Sequence, residues 1–249
     1  MFRLISDIVK TIRFFLRFAT ILAVGYLLMK GALWLVRHPI VQNWRQASAQ
    51  SDQFWESSET AVLVVGGLFL LTWGLRFLDQ FLFRDAFTNR LGFLTGSSFN
   101  LLRLFTYPLV HGDYSHLKDN TKPLLVLAFF AVILLPDLAL LVPLLLFMLF
   151  VQGLGVWFFG GKGLQVGASG LALGLFSFDV LHGLFAGYWK TVVAIALFVL
   201  FRRLVWKTLI SRGKLPNGAR ISVAGHLWGF LSGIAAAYLI SPFGPFPAA

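Results

Sequence analysis

A chain of 249 residues that is 58% hydrophobic and only 12% charged is too apolar for an ordinary soluble domain. Its net charge of +11 raises nucleic acid as a partner, but the basic residues fall mostly between apolar runs and form no aromatic-interleaved patch; the lipid bilayer, with its anionic headgroups, is the expected partner instead. The absence of cysteine rules out disulfides, thiolate nucleophiles and Cys-ligated metals.

The apolar runs are long enough to cross a bilayer and predict an all-α, polytopic helical membrane protein. Residues 1–60 read as a basic leader helix and a polar linker. Arg3, Lys10, Arg13 and Arg17 precede the run Phe18–Met29, which reaches Val36 if Lys30 snorkels, so this additional helix either spans or lies at the interface. Gln42–Thr60 is polar, with Asp52, Glu56 and Glu59. Residues 61–240 hold six further apolar segments, the first being Ala61–Phe83, interrupted by Arg76 and Asp79. Arg84–Ser115 follows; it is too long for a tight turn and too apolar for disorder, which predicts a structured loop partly in the interface. The second segment is His116–Leu135, and Pro136-Asp137 turns into the third, Leu138–Phe159. Gly160–Gly163 reads as a flexible loop before the fourth, Ala168–Gly187. The fifth is Thr191–Leu204, and Arg202–Arg220 is a basic loop with a turn at Pro216-Asn217-Gly218. The sixth is Ile221–Ile240, and residues 241–249 form a short Pro-rich tail.

Successive spans alternate direction, so the second, fourth and sixth segments run the same way. His116 and Asn120 open the second, Ser169 opens the fourth, and His226 lies near the start of the sixth. These four polar residues therefore share one membrane depth, and ionisable residues inside membrane helices point to function. A working Ser169–His226 pair needs about 3 Å between hydroxyl and ring nitrogen, which demands close helix backbones. Gly170 and Gly174 on the fourth helix, with Gly225, Gly229 and Gly233 on the sixth, have GxxxG spacing, which allows close approach. Gly229 and Gly233 fall on the face of His226.

His116 and Asn120, at i and i+4, offer two hydrogen-bond donors to a developing oxyanion; the bland alternative is a cluster facing the headgroups. His111, in the preceding loop, reads as a structural hydrogen-bonder. Asp179 is ten residues past Ser169, about 15 Å along a helix, too far for a triad; Asp179 and His182 read as a local pair near the opposite face. His111, His116 and His226 allow a metal reading, but no carboxylate stands at ligand spacing, so no metal and no cofactor are expected.

The chain resembles the rhomboid intramembrane serine proteases over roughly Ala61–Ile240. Three blocks carry the resemblance: His111 to Asn120 fits HxxxxHxxxN, Gly167-Ala168-Ser169-Gly170 fits GxSG, and His226 to Gly233 fits HxxGxxxG. The resemblance implies a six-helix core and a Ser–His dyad without a third carboxylate. Ser169 would be the nucleophile and His226 the base, with His116, Asn120 and the Ser169 backbone N–H as the oxyanion hole. Arg103 looks like the arginine that shapes the family's first loop. The implied substrates are transmembrane segments of other proteins, cut near the membrane surface, and the implied location is the bacterial cytoplasmic membrane. Leu102 replaces the Trp that often precedes that arginine, and Leu173 replaces an aromatic that stacks on the histidine in many members. In most bacterial members the active-site end faces away from the cytoplasm. That would put Arg202–Arg220 outside, against the positive-inside tendency, whereas a spanning leader with its N-terminus inside would invert the core. A catalytically inactive rhomboid-like protein that binds transmembrane helices is the main alternative, and a transporter is a third class. Oligomeric state is not readable. An ordinary imidazole titrates near about 6.5, so a rate falling as pH drops below that value is expected of a histidine base.

Overall fold

The computed structural model describes residues 52–244, except 136, 187, 211, 212, 215–219 and 243, together with isolated positions 23, 27 and 30. The leader helix, the first part of the linker and the Pro216-Asn217-Gly218 turn lie outside the described residues.

Helix α1 spans Asp52–Phe81. It starts ahead of its apolar run, because nothing from Asp52 to Thr60 is Gly or Pro and the polar residues there tolerate helix. Next come α2 (Ala86–Leu91), strand β1 (Phe93–Thr95), α3 (Leu101–Thr106) and a 3₁₀ turn at Tyr107–Leu109. The expected structured loop is therefore a small subdomain. Helix α4 runs Tyr114–Leu134; the Asp113 carboxylate caps it by accepting from the His116 N–H at 2.8 Å. After a 3₁₀ turn at Leu138–Leu140 come α5 (Leu141–Phe159), β2 (Gly163–Gln165), α6 (Ser169–Phe185) and α7 (Tyr188–Leu209). Strands β3 (Gly213–Lys214) and β4 (Arg220–Ile221) lead into α8 (Val223–Leu239).

Two further expectations change. Gly160–Gly163 is not a free loop. Strands β1 and β2 pair antiparallel, with Phe93 opposite Gln165 and Thr95 opposite Gly163. The Thr95 hydroxyl donates to the Gly163 carbonyl at 2.9 Å and lies against that of Gly161. The basic loop is also shorter than expected. Arg202, Arg203 and Lys207 are good helix formers, so α7 continues through them to Leu209.

Helix α6 sits centrally, packed by α4, α7 and α8, and every residue from Gly170 to Phe178 and Asp179 is buried. Helices α6 and α8 have 17 residues each, about 25 Å, a little short of the ~30 Å hydrocarbon layer. Their contact is backbone on backbone. A Cβ on Gly229 would land on the Gly170 carbonyl, one on Gly233 on the Gly174 carbonyl, and one on Gly174 within 2.9 Å of the Gly229 carbonyl. Ser177 adds a cross-helix bond to the Phe230 carbonyl at 2.6 Å. The longer helices Ser57–Phe81 and Leu138–Phe159 are apolar enough to cross a membrane.

Candidate active site

The turn before α6 sets the site. Gly167 has φ of +103°, a region that favours glycine. Its N–H donates to the Tyr107 carbonyl at 3.1 Å, and the Ala168 N–H to His111 Nε2 at 3.4 Å. Ser169 then starts α6, where a backbone N–H has no intrahelical acceptor. On α8, the Ser222 hydroxyl accepts from the Gly225 N–H at 3.0 Å and fixes the first turn, which carries His226. The glycine interface brings the two starts together, with Ser169 Oγ and His226 Nε2 2.9 Å apart. That is hydrogen-bond distance for a nucleophile and its base.

His116 and Asn120 face this turn from α4. A Cβ on Gly167 would lie 2.7 Å from His116 Nε2 and 3.3 Å from Asn120 Nδ2, so both donors rest against a position where only glycine fits. Ser169, His226, His116 and Asn120 all line one cavity of about 400 Å³. Gly170 admits the Gln152 amide and the Gly225 carbonyl, the latter 2.6 Å from where its Cβ would be. Buried Leu173, aliphatic where the resemblance expects a ring, lines the same cavity beside Phe201 and Val205 of α7.

Three lining residues escaped the sequence reading: Tyr107, Gln152 and Gln165. All are buried, and among the described residues Gln152 Oε1 and both Gln165 amide atoms have no protein hydrogen-bond partner. Burial raises the Tyr107 phenol well above its ordinary value, so it stays protonated and able to donate. Gln152 left a signal, being the one amide side chain in apolar α5. Tyr107 and Gln165 left none, because a three-residue 3₁₀ turn and a three-residue strand are too short to show periodicity.

His111 and two residues of α1 brace the turn. Burial and the adjacent His116 ring, at 5.4 Å between centroids, push His111 down to about 3. It is therefore neutral near pH 7, and its Nε2 accepts from Ala168. The Arg76 guanidinium donates to the His111 carbonyl at 3.3 Å, to Asp85 at 2.7 Å and to Gln80 at 3.1 Å. Asp79 accepts from the N–H groups of Phe87 and Thr88 at 2.7 and 2.8 Å, and from the Thr88 hydroxyl at 2.6 Å. These two charges, which interrupt an apolar run in the sequence, tie the end of α1 to the loop. Arg103 is half-buried on α3, and its N–H is capped by Asn100 at 3.1 Å. Its side chain has no hydrogen bond or ion pair among the described residues; the loop-shaping contacts here are those of Arg76.

No carboxylate among the described residues bonds His226, and no group of three potential metal ligands occurs among them. Asp179 is fully buried, and neither of its oxygens has a protein partner among the described residues. His182 Nε2 donates to the Leu134 carbonyl at 3.1 Å, as does Lys190 Nζ at 3.0 Å. This group lies at the far end of α4 and α6, away from the cavity.

A family model described as the rhomboid domain matches residues 98–243. Uncharacterized proteins of Mycobacterium bovis and Mycobacterium tuberculosis (strain H37Rv) are each 33% identical over 141 residues, covering 54% of this chain and 57% of theirs. An uncharacterized protein of Mycobacterium leprae is 33% identical over 144 residues, 54% of each chain. The chain thus spans little more than half the length of the curated relatives it matches.

Proposed function

The chain belongs to the rhomboid family of integral membrane proteins, and on that premise we propose that it is an intramembrane serine protease working through a Ser169–His226 dyad. The observation that carries this is the 2.9 Å contact between Ser169 Oγ and His226 Nε2, on the wall of a cavity between helices that His116 and Asn120 also line. On this reading Ser169 Oγ attacks the carbonyl carbon of a peptide bond in or near a transmembrane segment, and its proton passes to His226 Nε2. His116, Asn120 and the Ser169 N–H hold the negative oxygen. The C–N bond then breaks, and His226 returns the proton to the leaving amine. Water, deprotonated by the same imidazole, hydrolyses the acyl ester and restores the serine. No cofactor enters these steps. Arg76, Asp79 and His111 position the turn and do not touch the substrate. The mycobacterial relatives favour the bacterial cytoplasmic membrane as its location.

The test is cleavage of a reporter transmembrane substrate by the purified chain in liposomes. The expected result is cleavage by the parent and none by Ser169→Ala or His226→Ala. Equal cleavage by all three removes the dyad from catalysis. Silence in all three, with no labelling of Ser169 by a fluorophosphonate, turns the assignment to an inactive protein that binds transmembrane helices.

A further inference from the structure

We infer that Gln152 and Gln165 form a polar subsite beside the nucleophile, which selects a substrate with a short hydroxyl side chain on the residue whose carbonyl is attacked. The inference deepens the protease reading and rests on it for the identity of the ligand.

The cavity has two unlike sides. One is apolar, where Leu127, Leu173, Phe201 and Val205 belong to the main hydrophobic core. The other is lined by Tyr107, Gln152 and Gln165, from the 3₁₀ turn, α5 and β2. Gln152 and Gln165 are only 1% and 2% exposed. Burying an amide without hydrogen bonds is costly, yet Gln152 Oε1 and both Gln165 amide atoms have no protein hydrogen-bond partner among the described residues. Because both Gln165 atoms are unmatched, the cavity is offered a donor and an acceptor whichever way that amide is turned. Gln152 is held in place on two sides. The Tyr107 hydroxyl lies against its amide, and a Cβ on Gly170 would collide with its Nε2. Gly170 adjoins Ser169, so the Gln152 amide stands beside the backbone of the nucleophile.

The attacked carbonyl carbon must come within bonding reach of Ser169 Oγ, and the side chain nearest to it belongs to the residue that supplies that carbonyl. His116 and Asn120 approach the turn from α4, whereas the Gln152 amide approaches it from α5. With its oxygen turned to the α4 donors, that residue has the α5 side open to its side chain. A hydroxyl donates one hydrogen bond and accepts others, which matches what the two amides offer. A carboxylate or ammonium would be buried there without a counter-charge; the lining acid and lysine, Asp119 and Lys207, are both exposed. An alanine would leave the amides unpaired, and a site built on buried polar groups discriminates against a ligand that lacks theirs. The tight fit of Gln152 against Gly170 favours a short side chain.

The test compares two reporter transmembrane substrates that differ only in serine or alanine at the residue before the scissile bond. The full chain in liposomes should cut the serine reporter with a kcat/KM about fivefold to tenfold higher. In Gln165→Met and in Gln152→Met, which keep the length of the side chain without its polar atoms, that ratio should fall to about one. The ratio does not depend on how much of a variant is folded. A ratio near one in the parent, or a ratio that persists in both variants while the two reporters slow in parallel, overturns the inference and gives the amides to bound water or to packing. A second arm needs no turnover. Peptides that end in the same serine or alanine are titrated onto Ser169→Ala, with binding followed by thermal shift. The serine peptide should bind about fivefold to tenfold tighter, and adding Gln165→Met should abolish the difference. That difference, with neither reporter cut by the parent, leaves the subsite intact and removes the protease. Cleavage of both reporters with no difference in either arm overturns the subsite and leaves the protease intact. Neither cleavage nor a difference in binding overturns both.

Discussion

Two polar clusters lie at opposite ends of this helix bundle. At one, Ser169, His226, His116 and Asn120 surround an open cavity. At the other, His182 and Lys190 both donate to the Leu134 carbonyl, near the end of α4, within packed helices. Carbonyls in the last turn of a helix lack intrahelical donors, and a cation there complements the helix dipole. The far cluster thus finishes a helix, whereas the near one leaves polar atoms for something that enters. Both contain histidine, so residue type does not separate them; placement against a cavity does.

The sharpest way to break this contrast is to cut each cluster in turn. Ser169→Ala or His226→Ala should lower reporter cleavage by about 10³-fold or more, while Asp179→Asn stays within about threefold. An equal loss in Asp179→Asn would join the two ends into one machine. The oxyanion side should give less: His116→Ala and Asn120→Ala each lower kcat by about 10²-fold with little change in KM. A rise in KM alone would make them substrate contacts.

Gly233→Val tests the helix contact beneath the near cluster. Its side chain meets the Gly174 backbone, so a loss of about 1–3 kcal/mol should appear as a lower unfolding temperature in detergent. An unchanged temperature would show that α6 and α8 have room to separate. At the far end, Lys190→Met should cost about 1 kcal/mol, because His182 still serves the Leu134 carbonyl, and activity per folded molecule should hold. A selective drop in turnover would contradict its purely structural role.

The smallest effect concerns His111. Its folded value of about 3 lies below the unfolded value of about 6.5. Between these the unfolded chain binds the extra proton, so the contribution is intact above about 6.5 and is lost as pH falls toward 3. Thermal unfolding followed from pH 7 to 4 should show this slope, and His111→Gln should flatten it. An identical slope in the variant would assign the acid sensitivity to other groups.

The near cluster was legible in the sequence because it obeys periodicity. Ser169 and His226 share their helices with glycines at GxxxG spacing, and span parity sets them at one depth. What escaped depends on contacts distant in sequence. Strand β1 pairs with β2 across the three intervening helices α3, α4 and α5, so Gly160–Gly163 looked free and Gln165 looked idle. Arg76 reads as a blemish in an apolar run until Asp85 and the His111 carbonyl fold back onto it. The end of α7 was misjudged because charge suggested loop, although Arg and Lys favour helix and neither Gly nor Pro intervenes.

Gly167 carries a lesson about heredity. Its φ of +103° and the crowding of His116 against it leave no room for a methyl group. A glycine codon becomes an alanine codon by one base change. That change would push on the His116 and Asn120 side chains yet leave the glycine contacts of α6 with α8 untouched. If the proposed dyad is the active site, a lineage can therefore lose its chemistry in one mutational step while keeping the packing of α6 on α8.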